Sequence, residues 1–205
     1  MKRKILSVVI LCLFESVIVS CIYGTCDPVP PHFEIKGITS YNLRYTNSGK
    51  TNPWETIEEN ESIVWTNFFT RFGFEVNYIA SKHLNFGGAL VALSCEEAGG
   101  AGDKIGVDTV IVRTLFDYNE NYPTGSVIND IVLINRWTFF YDGFDKFLPL
   151  EDYLIENSEG VRYDTFELKL TEAPSTSRTF SFDVTYKLNN GEEFQHKTTP
   201  VNLMK

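Results

Sequence analysis

One group of potential metal ligands lies near the middle of the chain. Asp117, Asn119 and Asn121 have the spacing of the first three side-chain ligands of an EF-hand calcium loop. The match then fails, because Tyr122 stands where that loop needs Gly and Ile128 stands where it needs a bidentate Glu. We therefore predict a strand-to-loop transition here and no metal site.

Motifs for catalysis are missing from the sequence. It contains neither the G-x-S-x-G turn of a serine hydrolase nor the H-E-x-x-H helix of a zinc protease. Carboxylates occur mainly as sequence neighbours, whereas a glycosidase needs two that face each other across a cleft. The sequence predicts a protein that is not an enzyme and has no catalytic residue, metal or cofactor. The alternative is an unrecognised hydrolase that uses Asp142, Asp145 or Glu151.

An aromatic group could serve binding instead. Trp137, Phe139 and Tyr141 alternate along one segment and would share one face of a strand. If that face is exposed, the rings could stack on sugars or on a partner protein. If it is buried, they close the hydrophobic core. A glycan-binding module is thus an alternative function for this chain.

The N-terminus carries a targeting signal. A basic start at residues 2–4 precedes an apolar run over 5–14, which is too short to span a bilayer. This pattern predicts a cleaved signal peptide over residues 1–20. Residues 18–21, Ile-Val-Ser-Cys, resemble a bacterial lipobox. That resemblance implies cleavage before Cys21, a diacylglycerol on its sulfur and an acylated N-terminus. The alternatives are an ordinary secretory signal with an incidental cysteine, or a eukaryotic secreted protein.

The charge of the mature chain bears on its partners. The full chain has 18 basic and 27 acidic residues, and residues 1–20 contain three of the bases and one acid. The mature chain therefore keeps 15 basic and 26 acidic residues, a formal charge of −11. Such a surface argues against binding to nucleic acid or to anionic lipid headgroups. The predicted partners are the membrane, through the lipid, and an unknown envelope protein or glycan.

The residue after the lipidated cysteine indicates the destination. Ile22, not an acidic residue, follows Cys21. By analogy with known sorting signals, this argues against retention in the inner membrane. We expect a lipid-anchored protein of the bacterial cell envelope, held in the outer membrane and facing the periplasm.

Behind the anchor, hydrophobic alternation predicts a β-rich chain. The Pro-rich stretch within residues 21–32 predicts an extended tether. About seven strands and few helices then indicate a single all-β, immunoglobulin-like antiparallel β-sandwich over 33–205, with one or two short helices. The clearest predicted elements are strands at 33–46, 71–80, 89–95, 107–116, 165–171 and 179–188, and a helical turn at 150–155.

The first predicted strand covers residues 33–46. Its alternation places Phe33 and Tyr41 on the same buried face, with a bulge near Gly37.

The last predicted hairpin turns at residues 189–191, Asn-Asn-Gly. A three-residue loop with a left-handed Gly pairs Tyr186 with Phe194, which keeps Phe194 on the buried face. The same register places His196 opposite Val184, where it packs and does not bind a metal.

Several motifs together resemble a family. They are the lipobox at Cys21, the Cys-Asp-Pro sequence at 26–28, the strand leading into residues 116–119, and the segment 121–126. With the terminal hairpin, this combination resembles a family of small lipoproteins of the Bacteroidota, a domain of unknown function. The resemblance covers nearly the whole mature chain and implies no particular activity.

One short motif resembles a modification site. Asp108-Thr109-Val110 is similar to the Asp-Thr-aliphatic sequence that is O-glycosylated on exported proteins of the Bacteroidota. The resemblance implies a sugar on Thr109. Three-residue matches also arise by chance.

The remaining cysteines predict a disulfide. Cys12 leaves with the signal peptide and Cys21 carries the lipid, so Cys26 and Cys95 remain in an oxidising compartment. A bond between them would fasten the tether to the domain. The alternative is that Cys95 is a buried free thiol and Cys26 is unpaired.

These observations favour a lipid-anchored envelope protein without enzymatic activity. It would act as a binding or structural accessory.

Overall fold

The fold is known from a computed structural model, which describes residues 29–46, 54–79, 98–136 and 147–205. One α-helix in these ranges, α1, covers Leu150–Glu156, and 3-10 turns cover Trp65–Asn67 and Asn129–Ile131. The strands are β1 His32–Tyr45, β2 Trp54–Thr56, β3 Ser62–Val64, β4 Phe68–Ile79, β5 Val107–Thr114, β6 Val132–Arg136, β7 Leu148–Pro149, β8 Thr165–Leu170, β9 Thr179–Phe180, β10 Phe182–Leu188, β11 Glu193–Lys197 and β12 Val201–Met204.

The strands form a sandwich. One sheet has six antiparallel strands in the order β2-β1-β4-β8-β6-β7. Two three-stranded sheets have the orders β11-β10-β5 and β3-β12-β9, and β3 pairs with β12 in parallel. The predicted all-β sandwich with a short helix is confirmed. Its large sheet is wider than the three- and four-stranded sheets of an immunoglobulin constant domain.

Aromatic rings join the six-stranded sheet to the sheet β11-β10-β5. Phe166 on β8 stacks on Phe72 of β4, with ring centroids 4.9 Å apart. The ring of Phe166 also lies 5.7 Å from the ring of Tyr186 on β10. The Tyr186 hydroxyl forms a 3.0 Å hydrogen bond with that of Tyr153 on α1, so the helix is tied to the same core. All four side chains are buried.

Helix α1 confirms the predicted helical turn. Leu150 and Tyr153 are three residues apart, so they share one face and are both buried. Glu151 and Asp152 lie in the first turn, where negative charge is favourable near the positive end of the helix dipole.

The first strand contains the predicted bulge. Its pairing with β4 shifts register between Ile35 and Gly37. The extra residue reverses the alternation, so Ile38 and Asn42 face the core beyond it. The prediction that Tyr41 lies on the buried face is therefore wrong, and this side chain is 57% exposed.

The predicted terminal hairpin is confirmed in register. Tyr186 pairs with Phe194, and Val184 pairs with His196. Gly191 has a φ of 89°, the left-handed conformation that the three-residue loop requires.

A side-chain amide covers the outer edge of β5. The Asn129 Oδ1 atom accepts from the backbone N–H of Val112, and its Nδ2 donates to the carbonyl of Val110, both at 2.8 Å. The Asn129 side chain thus makes the backbone hydrogen bonds that a strand paired with this edge of β5 would otherwise make. This pairing helps to protect an edge that is open to association.

The tether is hydrogen-bonded to the domain before β1 begins. The amides of Gly99 and Ala101 donate to the carbonyls of Pro30 and Pro31, each at 2.8 Å. The amide of Phe33 donates to the carbonyl of Gly102 at 3.2 Å. The two segments run parallel to each other. In the described ranges, no helix is long and apolar enough to cross a membrane.

Candidate binding face on the six-stranded sheet

Strand pleating gives the six-stranded sheet an outer side that faces away from the main core. On β4, Phe72 belongs to the core, whereas Phe69 and Arg71 point to the other side. On β8, Phe166 is in the core, and Glu167 is on the outer side. On this outer side, Arg71 of β4 pairs with Glu167 of β8, and Phe69 of β4 pairs with Leu43 of β1.

Aromatic rings form a chain across this outer side. The Trp54 ring lies 5.4 Å from Tyr45 and 5.1 Å from Phe69, and both contacts are edge-to-face. Phe69 in turn lies 5.7 Å from Phe147. Edge-to-face pairs at these distances are favourable contacts between rings.

Two cations lie over these rings. The Arg71 guanidinium carbon is 5.5 Å from the Trp54 ring centroid. The Lys169 ammonium is 5.6 Å from the ring of Phe69 and 5.7 Å from that of Phe147. All three distances suit a cation–π interaction. We call the set the outer cluster: Tyr45, Trp54, Phe69, Arg71, Phe147, Glu167 and Lys169.

A buried ion pair anchors the outer cluster. The Arg71 Nε and Nη2 atoms donate to the Glu167 Oε1 at 2.9 and 2.6 Å. The Glu167 side chain is 2% exposed and that of Arg71 is 24% exposed. Burial raises the pKa of Glu167, and the charge and hydrogen bonds of Arg71 oppose that rise.

This arrangement brings together kinds of groups that contact bound ligands in proteins. Rings, a guanidinium and a carboxylate are the groups that contact sugar faces and hydroxyls. Glu167 is the only carboxylate of the outer cluster and is already paired with Arg71. Glycoside hydrolysis needs two carboxylates.

The outer cluster was not predicted from the sequence. It joins residues of β1, β2, β4 and β8 with Phe147, which are far apart along the chain. One signal was available: Phe68 and Phe69 are consecutive aromatics at the start of a strand. One of two such neighbours must point away from the core.

Most of the predicted site residues lie outside the described residues: Cys21, Cys26, Cys95, Trp137, Phe139, Tyr141, Asp142 and Asp145. Their roles stay predictions. Glu151 is exposed on α1. Thr109 is half-buried on β5, opposite Lys187, whose ammonium pairs with Asp108 at 2.8 Å. Glycosylation of Thr109 also stays a prediction.

The loop with partial EF-hand spacing is held by its own hydrogen bonds. The Asp117 Oδ1 accepts from both the amide and the hydroxyl of Thr124 at 2.8 Å, which lowers the pKa of Asp117. The Asn119 Oδ1 accepts from the amides of Asn121 and Tyr122. In the described part of the chain, no three His, Cys, Asp or Glu side chains are grouped to hold a metal.

A small cavity lies beside the tether. Its volume is about 320 Å³, and residues 100–103 and 160–162 line it. The carboxylate of Asp103 at its wall accepts from the amides of Ile35 and Ile105 at 3.0 and 2.9 Å. This carboxylate therefore holds the backbone in place.

His196 packs beside the core. Its ring lies 6.3 Å from that of Phe72 in an edge-to-face contact. Burial lowers the pKa of His196, and the charge of Asp183 opposes this effect. A second described histidine, His32, has its Nδ1 3.2 Å from the carbonyl of Gly102.

The lowered pKa predicts a pH dependence of stability. The unfolded chain binds a proton at His196 near pH 6.5, and the folded chain does so only at lower pH. Stability is therefore lost as the pH falls from 6.5 through the folded pKa. We expect His196→Phe to lose less stability than the wild type between pH 7.5 and 5.5 in urea titrations. Equal losses in both proteins would contradict this assignment.

Comparison of the sequence with known protein families and with curated proteins gave no match.

Proposed function

We propose that this chain is a lipid-anchored protein of the bacterial envelope that binds a partner without catalysing a reaction. The outer cluster is the observation that carries the binding role. It places rings, two cations and one carboxylate on the outer side of the six-stranded sheet, apart from the main core. The core already has its own aromatic stack of Phe72, Phe166 and Tyr186.

The anchoring role rests on the sequence before the domain. The signal over residues 1–20 and the lipobox ending at Cys21 support a lipid on that cysteine. Further acyl chains would make the attachment stable, since one chain alone binds a membrane only weakly. Ile22 argues against retention in the inner membrane, and the lack of an acidic run over residues 22–25 favours the periplasm-facing side of the outer membrane.

A disulfide between Cys26 and Cys95 is part of the proposal. Cys26 precedes Pro30 by four residues, and Cys95 precedes Gly99 by the same number. Pro30 and Gly99 are hydrogen-bonded, and the segments that follow them run parallel. Each cysteine therefore lies four residues before one member of the hydrogen-bonded pair Pro30 and Gly99.

The oxidation needs an electron acceptor. The two thiols lose two protons and two electrons as the S–S bond forms. The disulfide of an envelope thiol oxidase takes up the electrons and becomes a dithiol. Closing a loop of about 70 residues is worth about 4 kcal/mol in the chain-entropy account.

Counting thiols tests the disulfide. We expect protein purified from an oxidising envelope to take up no thiol-reactive mass tag at Cys26 or Cys95 until it is reduced. In Cys26→Ser, Cys95 should become reactive after unfolding. Two reactive thiols in the unreduced, unfolded wild type would contradict the bond.

An envelope glycan is the ligand that the outer cluster favours. Indole and phenyl rings stack on the apolar faces of sugars, and the partly exposed guanidinium of Arg71 offers a hydrogen-bond donor. A glycan array should show binding that Trp54→Ala removes. Tyr78→Ala is the matched control, because Tyr78 is an exposed aromatic residue on the same sheet and pairs with Phe33, at the opposite end of β1 from the Tyr45–Trp54 pair. Loss of binding in the control alone, or no binding by the wild type, would contradict a glycan-binding role.

A further inference from the structure

We infer that one particular end of the sandwich rests against the lipid headgroups of the membrane that holds Cys21. This inference depends on the proposed lipid anchor. The end in question, the proximal end, consists of residues 78–79, 98–104 and 158–164. The opposite end, the distal end, consists of residues 117–126 and 172–177.

The tether enters the domain at the proximal end. Pro30 and Pro31 accept hydrogen bonds from Gly99 and Ala101. His32, the first residue of β1, pairs with Ile79, the last residue of β4. Asp103 forms a bridge with Val161, which joins the two loops of this end.

Contacts along β5 place the other loops at the distal end. At the start of β5, the Val107 amide donates to the carbonyl of Asn157, next to the proximal loop 158–164. The strand ends at Thr114, and the chain then enters the segment 117–126. There, the Tyr118 hydroxyl donates to the carbonyl of Glu172.

The length of the tether decides which end can meet the membrane. Cys21 precedes Pro30 by nine residues, which span about 30 Å at most when fully extended. Strand β1 has 14 residues and starts at the proximal end. At the rise of an extended strand, β1 is about 45 Å long, so the tether cannot bring its far end to the membrane.

The surface of the proximal end suits a headgroup layer. Tyr78 and Ile79 are 51% and 47% exposed, and both are large and apolar. A Cβ placed on Gly99 would lie 2.9 Å from the Tyr78 ring. The Tyr78 ring therefore lies beside Gly99, the residue that donates a hydrogen bond to Pro30 of the tether. Tyrosine side chains favour the boundary between hydrocarbon and water.

Charge does not oppose this contact. Among the exposed side chains of the proximal end, Lys104 and Arg162 are basic and Glu159 and Asp164 are acidic. Their charges cancel, whereas the mature chain as a whole is acidic. We therefore expect the contact to be apolar and to occur on zwitterionic lipid, without a need for anionic headgroups.

This orientation has a consequence for binding. Tyr45 and Trp54 pair at the end of β1 that lies far from the tether. The Tyr45 and Trp54 side of the outer cluster therefore lies away from the membrane in this orientation.

Amide hydrogen exchange on the lipidated protein in phosphatidylcholine vesicles tests the orientation. Relative to the same protein in detergent, we expect exchange to slow several-fold in peptides covering 98–104 and 158–164. Peptides covering 117–126 should not change. Protection at 117–126, or at neither end, would overturn the inference.

Two variants sharpen the test. Ile79→Asp should reduce the protection at the proximal end, and Val127→Asp is the matched control because Val127 is an exposed apolar residue outside that end. Equal effects of the two variants would count against the contact. Intact mass separates the two proposals: a lipidated protein without protection overturns the orientation alone, and an unlipidated one overturns the anchor.

Discussion

Phe166→Ala is expected to lower the free energy of unfolding by about 4 kcal/mol, within the range for large-to-small changes in a core. The Phe166 side chain is 1% exposed. Its ring contacts Phe72 and Phe74 on one sheet, Tyr186 on the other and Tyr153 on α1. Removing the ring would leave a cavity between two sheets and α1. These elements cannot move independently of one another to fill it.

Urea titration followed by circular dichroism measures this change. Phe166→Leu is the control, because it keeps most of the apolar volume and should cost clearly less than the Ala variant. If the Ala variant does not fold, the Leu variant still gives a measurable decrease in the free energy of unfolding. Wild-type stability in both variants would contradict a core organised around this ring.

Arg71→Ala is expected to cost about 3 kcal/mol, because it leaves the buried Glu167 carboxylate without its partner. The value lies at the lower end for buried pairs, since the Arg71 side chain is 24% exposed. Replacing both partners by apolar residues, Arg71→Met with Glu167→Leu, should recover most of the stability. The reason is that no uncompensated buried charge remains.

The pH dependence of the Arg71→Ala deficit identifies its cause. Burial already raises the pKa of Glu167, and losing Arg71 raises it further. A raised folded pKa gives stability that is lost as the pH increases through that pKa. The deficit should therefore be smaller at pH 4.5 than at pH 7.5 in urea titrations. A deficit of equal size at both values would assign it to lost packing instead.

Much of the fold follows from local sequence pattern. Alternating apolar residues over 182–188 predict a strand with one buried face, and the structure has β10 there. The Asn-Asn-Gly turn and the need to bury Phe194 were enough to select the hairpin register. Such features depend on neighbours within about ten residues, where steric and hydrophobic preferences act directly.

Features that depend on the effect of a bulge were harder to predict. The sequence predicts the bulge at Gly37. The prediction for Tyr41 nevertheless ignored the reversal of faces beyond the bulge and placed this side chain on the buried face. One inserted residue exchanges the two faces of everything that follows it. The exposed Tyr41 and the buried Asn42 are the result.

The outer cluster depends on contacts between distant strands. Arg71 and Glu167 are 96 residues apart and meet only because β4 pairs with β8 in one register. No local pattern specifies which strands become neighbours. The parallel pairing of β3 with β12 escaped prediction for the same reason.

The central proposal is that the β-sandwich domain is attached to a membrane through Cys21. The most direct test is the intact mass and N-terminal peptide of the mature protein isolated from a bacterial envelope. We predict a chain that begins at Cys21, with a diacylglycerol on its sulfur and an acyl group on its amine. Cys21→Ser should abolish this modification, whereas Cys26→Ser should retain it. A mature chain with an unmodified Cys21, or one that begins at another residue, would contradict the account.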